Sequence, residues 1–179
     1  MSGLEETLRR MVSFLEEEVF NYMVIGGYVL PYYGRVRVTL DIDVAVALPN
    51  KEAFQKFRGD AEKRGYSVYL GSYENPVCLL HDGATGYEVE VWTRPDGVLW
   101  DRETLERRRE FAIAGVKAWV ISPEDFIVSK LARPDRGVVD EQDVKSVLER
   151  DDVELDWRYL EERAERAGVL ALLSTIKNV

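Results

Sequence analysis

The sequence predicts an α/β core over residues 1–121 followed by a helical C-terminal part over residues 122–179. Three observations carry that reading. Short runs rich in Val, Ile and Tyr, such as "YMVI", "YSVYL" and "YEVEVW", are separated by turn-rich or amphipathic stretches. One run, "RVTLDIDVAVAL" at residues 37–48, is apolar on almost every position, as a strand buried in a sheet would be. After Ile121 the strand pattern stops, and "SPEDFIVSKLA" opens a series of helical segments.

Element by element, Leu4, Leu8, Met11, Val12 and Leu15 recur at helical spacing and predict a helix over residues 4–18. "NYMVIGG" is a short strand ending in two glycines, and "YVLPYYG" is a short helix closed by Gly34. The strand at 37–48 follows. "KEAFQKFRGDAEKRG" is a helix stopped by Gly65, after which "YSVYL", "PVCLL" and "YEVEVW" are strands. A charged helix is expected over 102–110, then one or two strands turning near Gly115. Ser122, Pro123 and Asp125 suit the N-cap, first and third helical positions, and Pro134 stops that helix. Further helices are expected near 140–149, 156–167 and 169–177.

Composition narrows the function. With 46% hydrophobic and 32% charged residues the chain is globular. No apolar run reaches the roughly 20 residues that cross a bilayer, and the N-terminal stretch is too charged for a secretory signal. Cys78 is the single cysteine, which excludes an internal disulfide; its apolar setting reads as a buried structural thiol, and the expected location is the cytoplasm with no membrane partner. The net charge of −9 disfavours non-specific nucleic-acid binding. "RETLERRRE" is the local exception, read either as a solvated helix face with paired charges or as a patch for an anionic substrate.

The chemistry centres on Asp41 and Asp43. Two carboxylates two residues apart on a strand share one face at about 6.6 Å, and burying them is costly unless something compensates the charge. A divalent cation taking oxygen ligands, with nucleotide phosphate completing its shell, would do so. Gly26 and Gly27 stand at a strand-to-helix junction, where backbone N–H groups approach a phosphate; the competing reading is a tight turn. A third acid is expected from "YEVEVW": Glu90, or else Glu88, with an exposed sheet face as the alternative. Lys130 falls inside an apolar arc set by Phe126 and Ile127, where it either snorkels to solvent or serves a site. Asp140 and Asp143 read first as a capping-box-like pair with Val139 and Val144 as a staple, and alternatively as acids facing inward with Val144, Val147 and Leu148.

"GGYVLPYYGRVRVTLDIDVAV" resembles the signature of the DNA polymerase β-like nucleotidyltransferase superfamily: a glycine pair, about a dozen residues, then an acid-x-acid strand. Arg37, Thr39, Asp41 and Asp43, in the form R-x-T-x-D-x-D, are similar to the abortive-infection AbiEii-type toxin nucleotidyltransferases. "ISPEDFIVSKLARPDRGVVDEQDV" is like their later segment, where one helix carries a lysine and the next carries acids. Two departures are a glutamate at the third acid and a glycine where serine is frequent.

The resemblance implies a nucleotidyltransferase-like mixed β-sheet flanked by helices, with a helical C-terminal part packed on it. It implies a nucleoside triphosphate (NTP) as substrate and Mg²⁺, one ion or two, on Asp41, Asp43 and Glu90. Glu90 would complete the second metal site or act as base. Gly26 and Gly27 would cradle the phosphates. Lys130 would contact the triphosphate, Arg37 a phosphate or a site acid, and Thr39, Asp140 and Asp143 would belong to the nucleotide site. The acceptor would be an RNA 3′ end, a protein hydroxyl or a small molecule. The alternatives are a nucleotide-binding component without turnover, acting through a partner as in toxin–antitoxin pairs, and a sugar-nucleotide transferase, which leaves the glycines unexplained.

Overall fold

The computed structural model describes residues 3–178. Helix α1, Gly3–Glu17, leads into β1, Tyr22–Ile25, then a 3₁₀ turn at Gly26–Tyr28 and the short helix α2, Leu30–Tyr33. Strand β2, Ile42–Val46, is followed by helix α3, Lys51–Lys63, and by β3, Tyr66–Leu70, β4, Val77–Asp82, and β5, Glu88–Trp92. Helix α4, Arg102–Arg107, precedes the hairpin of β6, Arg109–Ile113, and β7, Val116–Val120. Four helices close the chain: α5, Pro123–Ala132; α6, Val138–Leu148; α7, Trp157–Arg166; α8, Leu170–Lys177. No helix among the described residues is long and apolar enough to cross a membrane.

The seven strands form one mixed sheet in the order β3-β4-β5-β2-β1-β7-β6. The β1–β7 and β2–β5 pairs are parallel and the other neighbours are antiparallel. The central β2 is buried on both faces at its middle: Ile42, Val44, Ala45 and Val46 are fully covered. This is why its sequence reads as a near-continuous apolar run. The β6–β7 hairpin turns through Ala114 and Gly115, both at positive φ (51° and 76°), as a two-residue loop between paired Ile113 and Val116 requires.

Two expectations need correction. The strand expected at 37–48 is only Ile42–Val46. Antiparallel to it, β1 ends at Ile25 opposite Asp43, because Gly26 turns the chain at φ 69°. On the other side β5 meets β2 from Val89 onward. Residues 36–40 therefore run past both neighbours and have no ladder to join, whatever their β-propensity. The charged helix expected over 102–110 stops at Arg107, since Arg109 and Glu110 pair with Val120 and Trp119 as the start of β6. Tertiary pairing overrode the i,i+4 charge spacing there.

One apolar core joins the sheet to the helices on either side of residue 121. Phe14 of α1, Phe57 of α3 and Tyr66 of β3 form a ring cluster with Phe20, centroids 5.5–6.0 Å apart. Helix α2 is pinned to the β6–β7 side: the Tyr33 hydroxyl donates to the Ile121 carbonyl (2.8 Å), and the Tyr32 ring stacks on Phe111 at 4.5 Å. Cys78 is buried on β4 and its thiol pKa is pushed up to about 12 by burial, as a structural thiol requires.

Candidate active site

A cleft of about 230 Å³ opens where β1 ends and β2 begins, beside β5 and the last turn of α5. Its floor begins with the glycine pair. A side chain at Gly26 would run into the Asp43 carboxylate, whose Cγ lies 2.8 Å from the position of a Cβ, and the positive φ disfavours any other residue besides. A side chain at Gly27 would meet the Thr39 Oγ1 at 2.6 Å. The turn is thus pressed between Asp43 and Thr39, and no side chain caps its first amides. Thr39 Oγ1 donates to the Asp41 carbonyl at 3.3 Å, which ties residues 39–41 together at the cleft wall.

The acids meet by register. Asp43 on β2 is paired with Glu90 on the parallel β5, and both line the cleft together with Asp41 at its exposed mouth. Val89 and Val91 are buried on the opposite face of β5, as the alternation in "YEVEVW" requires. Glu88, exposed, does not reach the cleft; it takes the Tyr69 hydroxyl and borders an adjoining groove. Burial lifts the Asp43 carboxyl to about 6, and the neighbouring Glu90 carboxylate adds to the rise against a weak opposing hydrogen bond from Trp92 Nε1 (3.4 Å).

Among the described residues no group of three or more His, Cys, Asp or Glu side chains is drawn together as a finished cation cage. Asp41, Asp43 and Glu90 do line one cleft, and their donor type is the one a hard divalent cation takes. All offer carboxylate oxygens, and the raised Asp43 marks a buried negative charge with too little compensation nearby.

The opposite wall is cationic. Lys130, on α5, is only 7% exposed and does not snorkel: its Nζ lies 3.0 Å from Asp140 Oδ1 and 3.4 Å from Asp143 Oδ2. Arg37 reaches the same Asp143 Oδ2 at 3.4 Å, and Arg35 reaches Oδ1 at 2.8 Å. Lys130 and Arg37 line the cleft; Asp140 and Asp143 do not, but stand behind them. Asp140 also takes the Gly137 N–H at 3.1 Å, so the capping pair expected at Asp140 and Asp143 sits one turn earlier: Gly137 is the N-cap, Asp140 is the third helical residue, and Asp143 only faces inward to the cations. Among the described residues, the cleft further contains Trp92, Asp96, Ser129 and Arg133, which sequence reasoning missed. Arg133 is the first residue past the end of α5, three after Lys130, and the Pro134 stop signal marked that helix end in the sequence.

The arginines of "RETLERRRE" lie away from this cleft and are engaged. Arg102 pairs with Glu106 and Arg107 with Asp156, at 2.5 and 2.8 Å. Arg108 donates to the Tyr22 carbonyl and Arg109 to the Glu154 carbonyl. They form paired and packing charges rather than an anion patch.

Residues 4–168 match the family described as "Nucleotidyl transferase of unknown function (DUF2204)". No curated protein sequence matches the chain. Among solved structures the fold is similar to the antibiotic-resistance factor ANT(2'')-Ia, at 18% identity and TM-score 0.61, covering 98% of each chain. It is also similar to the lincosamide antibiotic adenylyltransferase LnuA bound to lincomycin, at 16% identity and TM-score 0.55, over 80% of this chain and 96% of that one. A third is an antigenic nucleotidyltransferase-like protein from Paracoccidioides brasiliensis, at 18% identity and TM-score 0.56, over 98% and 92%.

Proposed function

The chain belongs to that nucleotidyl transferase family, and from this premise we propose that it moves a nucleoside monophosphate from an NTP to a hydroxyl in a Mg²⁺-dependent reaction. The observation that carries the reading is one cleft with the Asp43–Glu90 pair on the sheet and Lys130, Arg37 and Arg133 on the facing wall. That polarity matches a triphosphate bridged to carboxylates. Asp41, Asp43 and Glu90 would hold Mg²⁺, which supplies charge neutralisation at the phosphates when bound. Gly26 and Gly27 let the main chain approach the phosphates. Lys130 and Arg37 face the β- and γ-phosphates and compensate the pyrophosphate as it leaves. Thr39 fixes the wall that carries Asp41. Asp140 and Asp143 act through Lys130 and Arg37, holding both cations in place instead of touching nucleotide. Glu90 would take the acceptor's proton.

Of the narrower readings, the AbiEii-type toxin subgroup is supported by the Arg37–Asp43 resemblance alone, and a nucleotide binder without turnover by the glutamate at the third acid and the short C-terminal part. Calorimetric titration of NTP with Mg²⁺ tests the site. The double variant Asp41→Asn, Asp43→Asn should lose Mg²⁺-dependent binding while remaining folded; unchanged binding would sink the assignment. Release of labelled pyrophosphate separates turnover from binding alone.

A further inference from the structure

Residues 36–40 form a strap along the cleft whose two sides do different things. Arg37 and Thr39 point into the cleft wall with Asp41, while Val36, Val38 and Leu40 point outward, 82%, 82% and 78% exposed. That alternation is the signature of an extended chain. Among the described residues the strap makes no backbone–backbone hydrogen bond. It is an extended segment of high β-propensity with unused pairing capacity and an apolar outer face, the combination that natural proteins normally cover.

The apolar band continues beyond the strap. Tyr87 shares a groove with Leu40, and the Tyr69 hydroxyl rests on Glu88 beside it. Among the described residues, five of the ten exposed large apolar side chains belong to the strap or to the groove at its end: Val36, Val38 and Leu40 on the strap, Tyr87 in the groove with Leu40, and Tyr69 on Glu88 at its edge. The groove between them is walled by Asp41, Glu88 and Glu90 with His81, and neither lysine nor arginine lines it.

We propose that the strap and this groove receive the acceptor, and that the acceptor is a polypeptide: an extended segment that pairs with residues 36–40 and carries a Ser, Thr or Tyr hydroxyl flanked by Lys or Arg. The proposal rests on the nucleotidyltransferase reading of the cleft. Free main-chain groups with alternating apolar side chains recognise another main chain by strand addition. The acid-walled groove complements basic flanks, and together with a net charge of −9 it repels a phosphodiester chain. The strap runs directly into Asp41 and Asp43, so a segment paired along it delivers its hydroxyl to the cleft mouth. There the hydroxyl oxygen forms a bond to the α-phosphorus of the NTP. The bond from that phosphorus to the α,β-bridging oxygen breaks, pyrophosphate leaves with the electron pair, and the hydroxyl proton passes to a carboxylate of the mouth.

The test uses the full chain with Mg²⁺, α-³²P-labelled NTPs and three probes: a decapeptide library with alternating Val or Ile, one central Ser, Thr or Tyr and Lys or Arg flanks; the same library with Glu flanks; and an RNA oligonucleotide mixture. Label should enter the basic-flank library. It should fall at least tenfold with acidic flanks, and at least tenfold in the variant Val36→Ser, Val38→Ser, Leu40→Ser, whose NTP affinity by calorimetry stays unchanged. Amide hydrogen exchange at 36–40 should slow when the basic-flank library is added. Label in RNA, no label in any peptide, or equal peptide labelling by the triple variant overturns the proposal while NTP binding still stands. A wild-type dimer that the triple variant dissolves overturns it in favour of a second copy as the occupant. Loss of NTP binding in the wild type, by contrast, brings down the nucleotidyltransferase reading itself.

Discussion

Asp43 carries a proton more readily in the folded chain than in an unfolded one, because burial and the Glu90 carboxylate lift it from 3.8 to about 6. The folded state therefore binds more protons between pH 4 and 6, and stability contributed by protonated Asp43 is lost as pH rises through that window. Asp43→Asn should raise the Tm at pH 7–8 without divalent cation, by the equivalent of about 1–3 kcal/mol, and leave it nearly unchanged at pH 4. Mg²⁺ should stabilise the wild type and not the variant. A melting series over pH, with and without Mg²⁺, checks both; a variant that melts lower at pH 8 would contradict the account. Lys130 behaves differently. Its ammonium is compensated by Asp140 and Asp143 inside the molecule, so Lys130→Met leaves two poorly solvated carboxylates short of a partner. The expected loss is roughly 1–3 kcal/mol of stability. NTP affinity should drop by a similar amount and NMP affinity by less, measured by titrating both ligands.

At the scale of elements, the site depends on how strands and helices end. The Gly26 turn ends β1 one residue past its pairing with Asp43, and the same turn lets the Asp43 carboxylate pack against bare backbone. Gly26→Ala combines a positive-φ penalty with a steric overlap that no rotamer relieves. It should cost about 2–4 kcal/mol by denaturant unfolding and abolish Mg²⁺-dependent nucleotide binding. Helix α5, which carries Lys130 and leads into Arg133, is fixed at its start by Ser122: the Oγ accepts the Asp125 N–H at 3.1 Å and donates to the Asp125 carboxylate. Ser122→Ala should cost about 1–2 kcal/mol, readable as a shift in urea midpoint with unchanged m-value.

Over the whole molecule, one further buried network ties the C-terminal helices to the core. Arg163 of α7, 2% exposed, makes two hydrogen bonds of 2.6 and 2.8 Å to Asp101, the residue that also caps α4. The Tyr159 hydroxyl donates to Asp125 across α7 and α5. Asp101 is itself 39% exposed and Arg163 keeps Glu103 nearby, so Asp101→Asn should destabilise the protein by only about 1–2 kcal/mol in a cooperative unfolding transition. The two acids titrate in opposite senses. Asp101 is held at about 2 by Arg163, so its contribution is present above pH 3.8 and fades as pH falls toward 2. Asp125 is lifted by burial to about 6, so its contribution is present below pH 3.8 and fades as pH rises toward 6. An Asp101→Asn variant should accordingly lose its deficit against wild type as pH falls toward 2, which acid titration of Tm would show.

What the sequence determined by itself is whatever rests on local pattern. The helix-capping set Ser122–Pro123–Asp125, the turn at Gly115, the alternation of acids and valines in β5 and the order of elements all follow from neighbours along the chain. The glycine pair and the D-x-D were legible as a site because acids on an apolar strand need an explanation. The tertiary structure decided what depends on distant partners. It chose Glu90 over Glu88 for the cleft, because only the residue in register with Asp43 faces that carboxylate. It started β2 only at Ile42, because β1 turns away at Gly26 and leaves residues 36–40 no strand to bond. It buried Lys130 instead of letting it snorkel, because α6 brings two carboxylates to its ammonium from ten and thirteen residues away. Pairing register and charge compensation are properties of segments meeting in space, and neither is written into the pattern of any one segment.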